Sequence, residues 1–149
     1  MKKLLILDSN SIINRGFYGV RYLSAKDGTP TNAIYGFLSV LHKLINEQKP
    51  DYICAAFDLK APTFRHKMYS EYKAQRKPMP DDLKTQMPIA RDIVRAMNIP
   101  LFEIEGYEAD DIIGTVAQIC EEPGLECLLA TGDKADLQLA TETPQVTHT

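Results

Sequence analysis

Six acidic residues follow apolar runs that have the length and composition of β-strands. In a parallel α/β sheet ligands bind at the carboxyl ends of the strands, so acids in this position would gather at one edge. Negative charges held that closely repel one another, and divalent cations that prefer oxygen ligands would offset the repulsion. The pattern therefore predicts a Mg²⁺ or Mn²⁺ site. The six acids are Asp8, Asp58, Glu108, Asp110, Asp111 and Asp133.

Helix capping is the alternative role for every one of these acids. Glu108, Asp110 and Asp111 could form the acidic first turn of a helix, where the helix dipole favours negative charge. Asp8, Asp58 and Asp133 could each cap the helix that follows its strand. One such coincidence is ordinary, but acids at three strand ends together with an acidic triplet favour metal binding.

A basic segment follows Asp58 directly. Residues 65–77 contain five Lys or Arg and one acid, Glu71, with tyrosines between them. Cationic side chains neutralise phosphates and aromatic rings stack on unpaired bases, although a solvated charged loop is the alternative. Its position beside the acidic edge favours nucleic-acid binding. The candidate contacts are Phe64, Arg65, Tyr72, Lys73, Arg76 and Lys77.

Arg15 is a further candidate for a phosphate contact, because it follows Asp8 by about two helical turns. A surface ion pair or a packing role is equally compatible with its position.

Acids and a basic segment together predict hydrolysis of a phosphodiester, in which two metal ions stabilise the attacking and leaving oxygens. The sequence has no Ser-His-Asp arrangement, no zinc-ligand spacing among its three histidines and no Gly-rich nucleotide motif.

Length and composition are those of one globular domain. The chain has 149 residues, 44% of them hydrophobic, and a net charge of −3, so any nucleic-acid contact must come from a local basic cluster. The three cysteines lack C-x-x-C spacing and are expected to be reduced, buried thiols. The apolar run before Asp8 is too short for a signal peptide, and no membrane association is expected.

Alternating patterns predict a doubly wound parallel sheet flanked by helices. The predicted strands cover residues 3–7, 52–57, 101–104 and 126–130. The predicted helices cover residues 9–22, capped by Ser9 or Ser11, then 31–49, 81–98 and 107–122, with a last helical turn over 134–140. Pro88 is expected to kink or split the third of these helices.

Six colinear blocks of sequence resemble the 5′-nuclease (flap endonuclease) family. The resemblance is strongest to the N-terminal 5′→3′ exonuclease domains of bacterial DNA polymerases I. The blocks are Leu7-Asp-Ser-Asn-Ser-Ile-Ile-Asn-Arg-Gly-Phe-Tyr, Thr31-Asn-Ala-Ile-Tyr-Gly-Phe, Phe57-Asp-Leu-Lys-Ala-Pro-Thr-Phe-Arg-His, Tyr72-Lys-Ala-Gln-Arg, Gly106-Tyr-Glu-Ala-Asp-Asp and Thr131-Gly-Asp-Lys.

The resemblance implies a PIN-like α/β fold and cleavage of 5′ flaps, RNA primers and 5′ ends of DNA. The six acids would be ligands of two Mg²⁺ or Mn²⁺ ions or their close supports, with Asp111 essential for cleavage. An arch over residues 59–82 would handle the single-stranded 5′ end through Tyr72, Lys73 and Arg76, and the last two would steady the scissile phosphate. We expect residues 1–149 to be the front part of a nuclease domain that continues beyond Thr149, where the family's helix-hairpin-helix element, which grips duplex DNA, would lie. A polymerase region would follow, in the bacterial cytoplasm.

One position departs from the family pattern. The family usually has Asp-Lys-Asp where this chain has Asp133-Lys134-Ala135, with Asp136 next. On a helix one residue is about 100° of rotation, so a second metal could be bound weakly. A catalytically impaired nucleic-acid-binding fragment is therefore an alternative. A PIN-type ribonuclease is a second one, although the basic segment favours DNA flaps. A small-molecule-binding domain whose acids are only helix caps is a third alternative.

Overall fold

Strands and helices alternate along the chain. The computed structural model describes residues 2–59, 79–105, 124–132, 136–139 and 146–148. The elements are β1 (Lys2–Asp8), α1 (Ser9–Gly19), α2 (Asn32–Gln48), β2 (Tyr52–Leu59), α3 (Asp81–Ala96), β3 (Leu101–Glu105), β4 (Leu125–Ala130), β5 (Asp136–Leu139) and β6 (Val146–His148). None of these helices has the length and hydropathy needed to cross a membrane.

The strands form one sheet with the order β3-β2-β1-β4-β5-β6. Strands β1 to β4 are parallel to one another, as the near-continuous apolar runs predict for strands covered on both faces. Strands β5 and β6 extend the sheet in antiparallel pairing. The predicted α/β class with a parallel sheet is confirmed, and β1 lies in the interior of that sheet.

One local prediction is wrong, and a second is wrong in part. Residues 136–139 form strand β5, where we expected a helical turn, because they pair with Leu128–Ala130 of β4. Helix α3 also continues through Pro88 without being split. Pro88 and Lys84, whose carbonyl loses its usual partner, are both exposed, so water can replace the missing hydrogen bond. The helix predicted over 107–122 lies outside the described residues.

The core has a large and a small part, one on each face of the sheet. The larger cluster joins inward side chains of the strands to α1, α2 and α3 and includes Leu7, Ile13, Phe37, Phe57 and Val94, all at most 1% exposed. The smaller cluster lies on the opposite face and contains Ile6, Ala56, Cys127 and Leu129. Side chains that continue this second face reach the carboxyl edge of the sheet.

The cysteines differ in their chemistry. Cys54 is a free thiol, and burial raises its pKa to about 11. Cys127 is buried on the second face and is disulfide-bonded, so the expectation of reduced thiols is wrong for this residue. Cys120 lies outside the described residues.

Candidate metal centre at the carboxyl edge of the sheet

Asp8 is a buried carboxylate at the end of the interior strand. It is the last residue of β1 and is only 4% exposed. It also occupies the N-cap position of α1, but its side chain makes no capping hydrogen bond. Asp8 therefore has the position that the helix-cap alternative predicted, but its side chain does not cap the helix. The N-terminus of α1, which carries partial positive charge, favours a negative group at this place.

Asp58 lies on the same face of the sheet as Asp8. Asp8 is paired in register with Ala56, and side chains alternate between faces, so Asp58 follows Ala56 on that face. Two residues correspond to about 7 Å along a strand, and neighbouring strands are about 5 Å apart. The structure thus brings together these two predicted acids from sequence positions 50 apart.

The backbone of Asp58 is held from both sides. Its N–H donates a hydrogen bond to Asn10 Oδ1 of helix α1 at 2.9 Å. Its carbonyl accepts a hydrogen bond from Arg91 Nη2 of helix α3 at 3.0 Å. The Arg91 guanidinium also lies 5.1 Å from the centre of the Phe57 ring, and its Nε is 3.8 Å from Glu103 Oε1. Two helices therefore fix the end of β2.

The end of β4 is held in a similar way by α1. Gly132 N donates a hydrogen bond to Ser11 Oγ at 2.8 Å, and Gly132 O accepts one from Arg15 Nη1 at 3.2 Å. Ser11 Oγ is also 3.2 Å from Thr131 Oγ1. A Cβ at Gly132 would overlap the Ser11 carbonyl, so only glycine allows this approach. The predicted ligand Asp133 is the next residue in the chain.

The structure can be compared with the predicted roles of Ser9, Ser11 and Arg15. Ser9 and Ser11 lie inside α1, so neither is the N-cap that the sequence suggested. Arg15 is bonded to a backbone carbonyl beside the site, which is a structural role; its predicted phosphate contact stays a prediction. The remaining predicted residues lie outside the described part of the chain. They are Phe64, Arg65, Tyr72, Lys73, Arg76, Lys77, Glu108, Asp110, Asp111 and Asp133.

The donor set at this edge fits a hard divalent cation. Asp8 and Asp58 supply carboxylate oxygens from adjacent strands, and Asp8 is buried without a capping role. Two carboxylates alone are a partial site, and within the described residues no three potential metal ligands gather. The two acids would therefore hold an ion together with ligands from elsewhere in the chain.

Three positioning side chains were not predicted from the sequence. They are Asn10, Ser11 and Arg91, and each bonds the backbone of a residue at or beside the acidic edge. The cluster Asp8-Ser-Asn-Ser was the available signal, because four short polar residues where a buried strand passes into a helix are more than one helix cap needs.

Fold and site define an α/β protein with acids at the carboxyl edge of a parallel sheet, and sequence comparison gives the family. Residues 3–149 match the family model described as 5′-3′ exonuclease, N-terminal resolvase-like domain. The chain belongs to this family, and the resemblance seen in its sequence blocks is confirmed.

Curated relatives agree with the family. The chain is 48% identical over 137 residues to a DNA polymerase I of Caldicellulosiruptor bescii, which covers 92% of this chain and 16% of the relative. It is 44% identical over 142 residues to a 5′-3′ exonuclease of Aquifex aeolicus, covering 95% of this chain and 49% of the relative. It thus spans about half of the exonuclease and a much smaller share of the polymerase.

A solved structure has the same fold. The T5 D15 protein, co-crystallized with metal ions, superposes with a TM-score of 0.51 at 16% identity, covering 86% of this chain and 55% of that protein. At this identity the likeness concerns the fold alone. It supports the PIN-like α/β class that the sequence predicted.

Proposed function

We propose that this chain carries part of the active site of a metal-dependent 5′ nuclease, which hydrolyses DNA or RNA-primer phosphodiesters at 5′ ends and flaps during replication and repair. The observation that carries the proposal is that Asp8 and Asp58 lie on one face of the sheet at the carboxyl ends of two adjacent strands. Family membership supplies the reaction class, since the named relatives include a 5′-3′ exonuclease.

The metal ligands in this proposal are Asp8 and Asp58, joined by Glu108, Asp110, Asp111 and Asp133. Bound Mg²⁺ or Mn²⁺, two ions in the full site, would supply the positive charge that stabilises a phosphodiester under attack by water. Asp8 and Asp58 contribute negative charge at fixed positions, and the burial of Asp8 beside the N-terminus of α1 limits competition from solvent there. Lys73 and Arg76 would steady the phosphate, with Phe64, Arg65, Tyr72 and Lys77 along the 5′ strand.

The wider setting is also a proposal. We propose that this chain is the front part, with an arch over residues 59–82, of a nuclease domain in a bacterial cytoplasmic protein. A polymerase region would follow it, as the names of several relatives suggest. The gene sequence beyond the codon for Thr149 tests this arrangement directly. An open reading frame without polymerase sequence would remove the last part of the proposal.

Cleavage of a labelled 5′-flap DNA with Mg²⁺ or Mn²⁺ tests the reaction. Asp8→Asn removes a charge with little change of shape and should abolish cleavage, as should Asp111→Ala. Asp92→Asn is the matched control, because Asp92 is an exposed acid of α3 whose side chain is 79% accessible. Cleavage that survives Asp8→Asn and Asp111→Ala would reject the proposal.

An impaired nucleic-acid-binding fragment is the second candidate. Asp136 begins strand β5, so it is not presented from a helix turn next to Ala135, and this favours a weakened second metal position. Saturable binding of Mn²⁺ and flap DNA without cleavage would establish this candidate. Preference for an RNA substrate would instead establish a PIN-type ribonuclease. Absence of Mn²⁺ binding would support the alternative in which the acids have only structural roles.

A further inference from the structure

Helix α1 touches the ends of both strands that flank β1. Asn10 bonds the backbone of Asp58 at the end of β2, and Ser11 bonds the backbone of Gly132 after β4. These contacts join residues 48 and 121 positions apart in the chain. One helical turn therefore sets how far the two flanking strand ends lie from Asp8.

We propose that Asn10 and Ser11 are positioning residues that set the spacing of the metal-binding carboxylates. Neither residue needs to touch metal or substrate for this role, because each holds a backbone group at or next to an acid. This inference rests on the proposed function. It assigns a role to two polar residues that a helix cap does not explain, since the N-cap of α1 is Asp8.

Helix α1 holds the backbone of Gly132 in place through two hydrogen bonds, one of them to Ser11. The hydroxyl accepts from Gly132 N at 2.8 Å while Arg15 donates to Gly132 O at 3.2 Å, so both polar atoms of one residue are held. The lack of room for a Cβ at Gly132 keeps its backbone against the helix. Any movement of Gly132 would shift the start of Asp133, because the two share a peptide bond.

Asn10 makes the equivalent contact with the backbone of Asp58 in β2. Its side-chain oxygen accepts from Asp58 N at 2.9 Å, opposite the Arg91 bond to Asp58 O at 3.0 Å. A displacement of about 1 Å is enough to spoil a reacting geometry, so small losses here should be visible in function. Removing a group that orients a metal ligand without touching the metal typically lowers metal affinity or activity by about 10- to 100-fold.

Alanine variants with matched controls test the role. Ser11→Ala and Asn10→Ala are compared with Ser39→Ala and Asn46→Ala, which remove the same groups from exposed positions of α2. Mn²⁺ affinity is measured by calorimetry, thermal midpoint by circular dichroism, and amide exchange at Asp58 and Gly132 by NMR without metal. Ser11→Thr keeps the hydroxyl and serves as the rescue.

We expect Ser11→Ala and Asn10→Ala to weaken Mn²⁺ binding about tenfold or more, while the controls and Ser11→Thr stay within about twofold of the parent chain. Amide exchange should accelerate at Gly132 in the first variant and at Asp58 in the second. Unchanged affinity, or a loss that only follows a lower folded fraction, would overturn the proposal.

The exchange measurement separates this inference from the proposed function. If the parent chain binds no Mn²⁺, the proposed function fails and the positioning of metal ligands is overturned with it, whatever the exchange shows. If the parent chain binds Mn²⁺ and exchange accelerates at the bonded amide without loss of affinity, only the positioning role is overturned.

Discussion

The side-chain nitrogen of Gln86 donates a hydrogen bond to Asn32 Oδ1 at 3.0 Å, and both residues are buried. Gln86 Oε1 also accepts from the backbone N–H groups of Ala33 and Ile34, at 2.8 and 3.1 Å. A residue of α3 therefore satisfies the free N–H groups at the start of α2. This contact ties the helix that follows the basic segment to the rest of the fold.

Gln86→Ala should destabilise the protein by about 2 to 4 kcal/mol, because it leaves buried donors and an acceptor without partners and opens a cavity. Gln48→Ala, at the half-buried end of α2, should cost less than about 0.5 kcal/mol. Urea unfolding of both variants measures the difference. Equal losses would show that the Gln86 contacts contribute nothing beyond helix propensity.

Gly36→Ala should lower stability by about 1 to 3 kcal/mol. A Cβ at this position would lie 2.6 Å from Gly16 Cα, and backbone on a packed helix cannot move aside cheaply. Gly19→Ala is the matched change in α1, where an added Cβ meets nothing within 4 Å. It should be neutral or stabilise the helix by up to about 1 kcal/mol. Thermal unfolding of both variants measures the difference. A similar loss of stability in the two variants would contradict the close approach of α1 and α2 at Gly36.

Stability should fall as pH rises from 9 to 11, in part because of Cys54. Burial raises the thiol pKa from 9.0 to about 11, so in that interval the unfolded chain loses a proton that the folded chain keeps. Below pH 9 the contribution is constant. The denaturation midpoint of Cys54→Ala should therefore decline less steeply across this interval than that of the parent chain. Parallel pH profiles would exclude the thiol as a cause.

Lys73→Ala should slow cleavage of flap DNA by at least about tenfold while leaving the melting temperature nearly unchanged, since the proposed role is to neutralise phosphate. Lys43→Ala removes an exposed lysine from α2 and is the control for total charge. Single-turnover cleavage and thermal melting of both variants provide the comparison. Unchanged cleavage with a clear loss of stability would assign Lys73 a structural role.

Ala135→Asp should raise Mn²⁺ affinity or cleavage rate, because it restores the carboxylate that the family pattern has at this position. Ala25→Asp adds the same charge to an exposed residue of the loop between α1 and α2 and should change neither. Calorimetric titration and flap cleavage measure both effects. If the two substitutions behave alike, Ala135 does not limit the site.

The sequence predicted the strands well where the signal was local. The apolar runs placed β1 to β4 within two residues of their ends, and the acids after them gave Asp8 and Asp58 as neighbours. Strand β5 was missed because Asp136-Leu-Gln-Leu has no pattern that excludes a helix; it is a strand because it pairs with β4.

The supports of the site depended on distant partners and could not be predicted. Asn10 and Ser11 have short polar side chains that are typical of any helix start, and their partners lie far away in sequence. The same holds for Gln86, whose role depends on how α3 packs against the start of α2. Residue type indicated polarity in each case, while tertiary packing determined the contact.

The interior place of β1 has a consequence for how the protein is made. Strand β1 leaves the ribosome before β2, β3 and β4, and one of its edges stays open until residues 125–130 are available to pair with it. Such long-range pairing slows folding and leaves intermediates exposed to aggregation. A partly synthesised chain also lacks the end of β4 and therefore cannot assemble the acidic edge. The proposed metal site would therefore form late, after most of these residues have been translated.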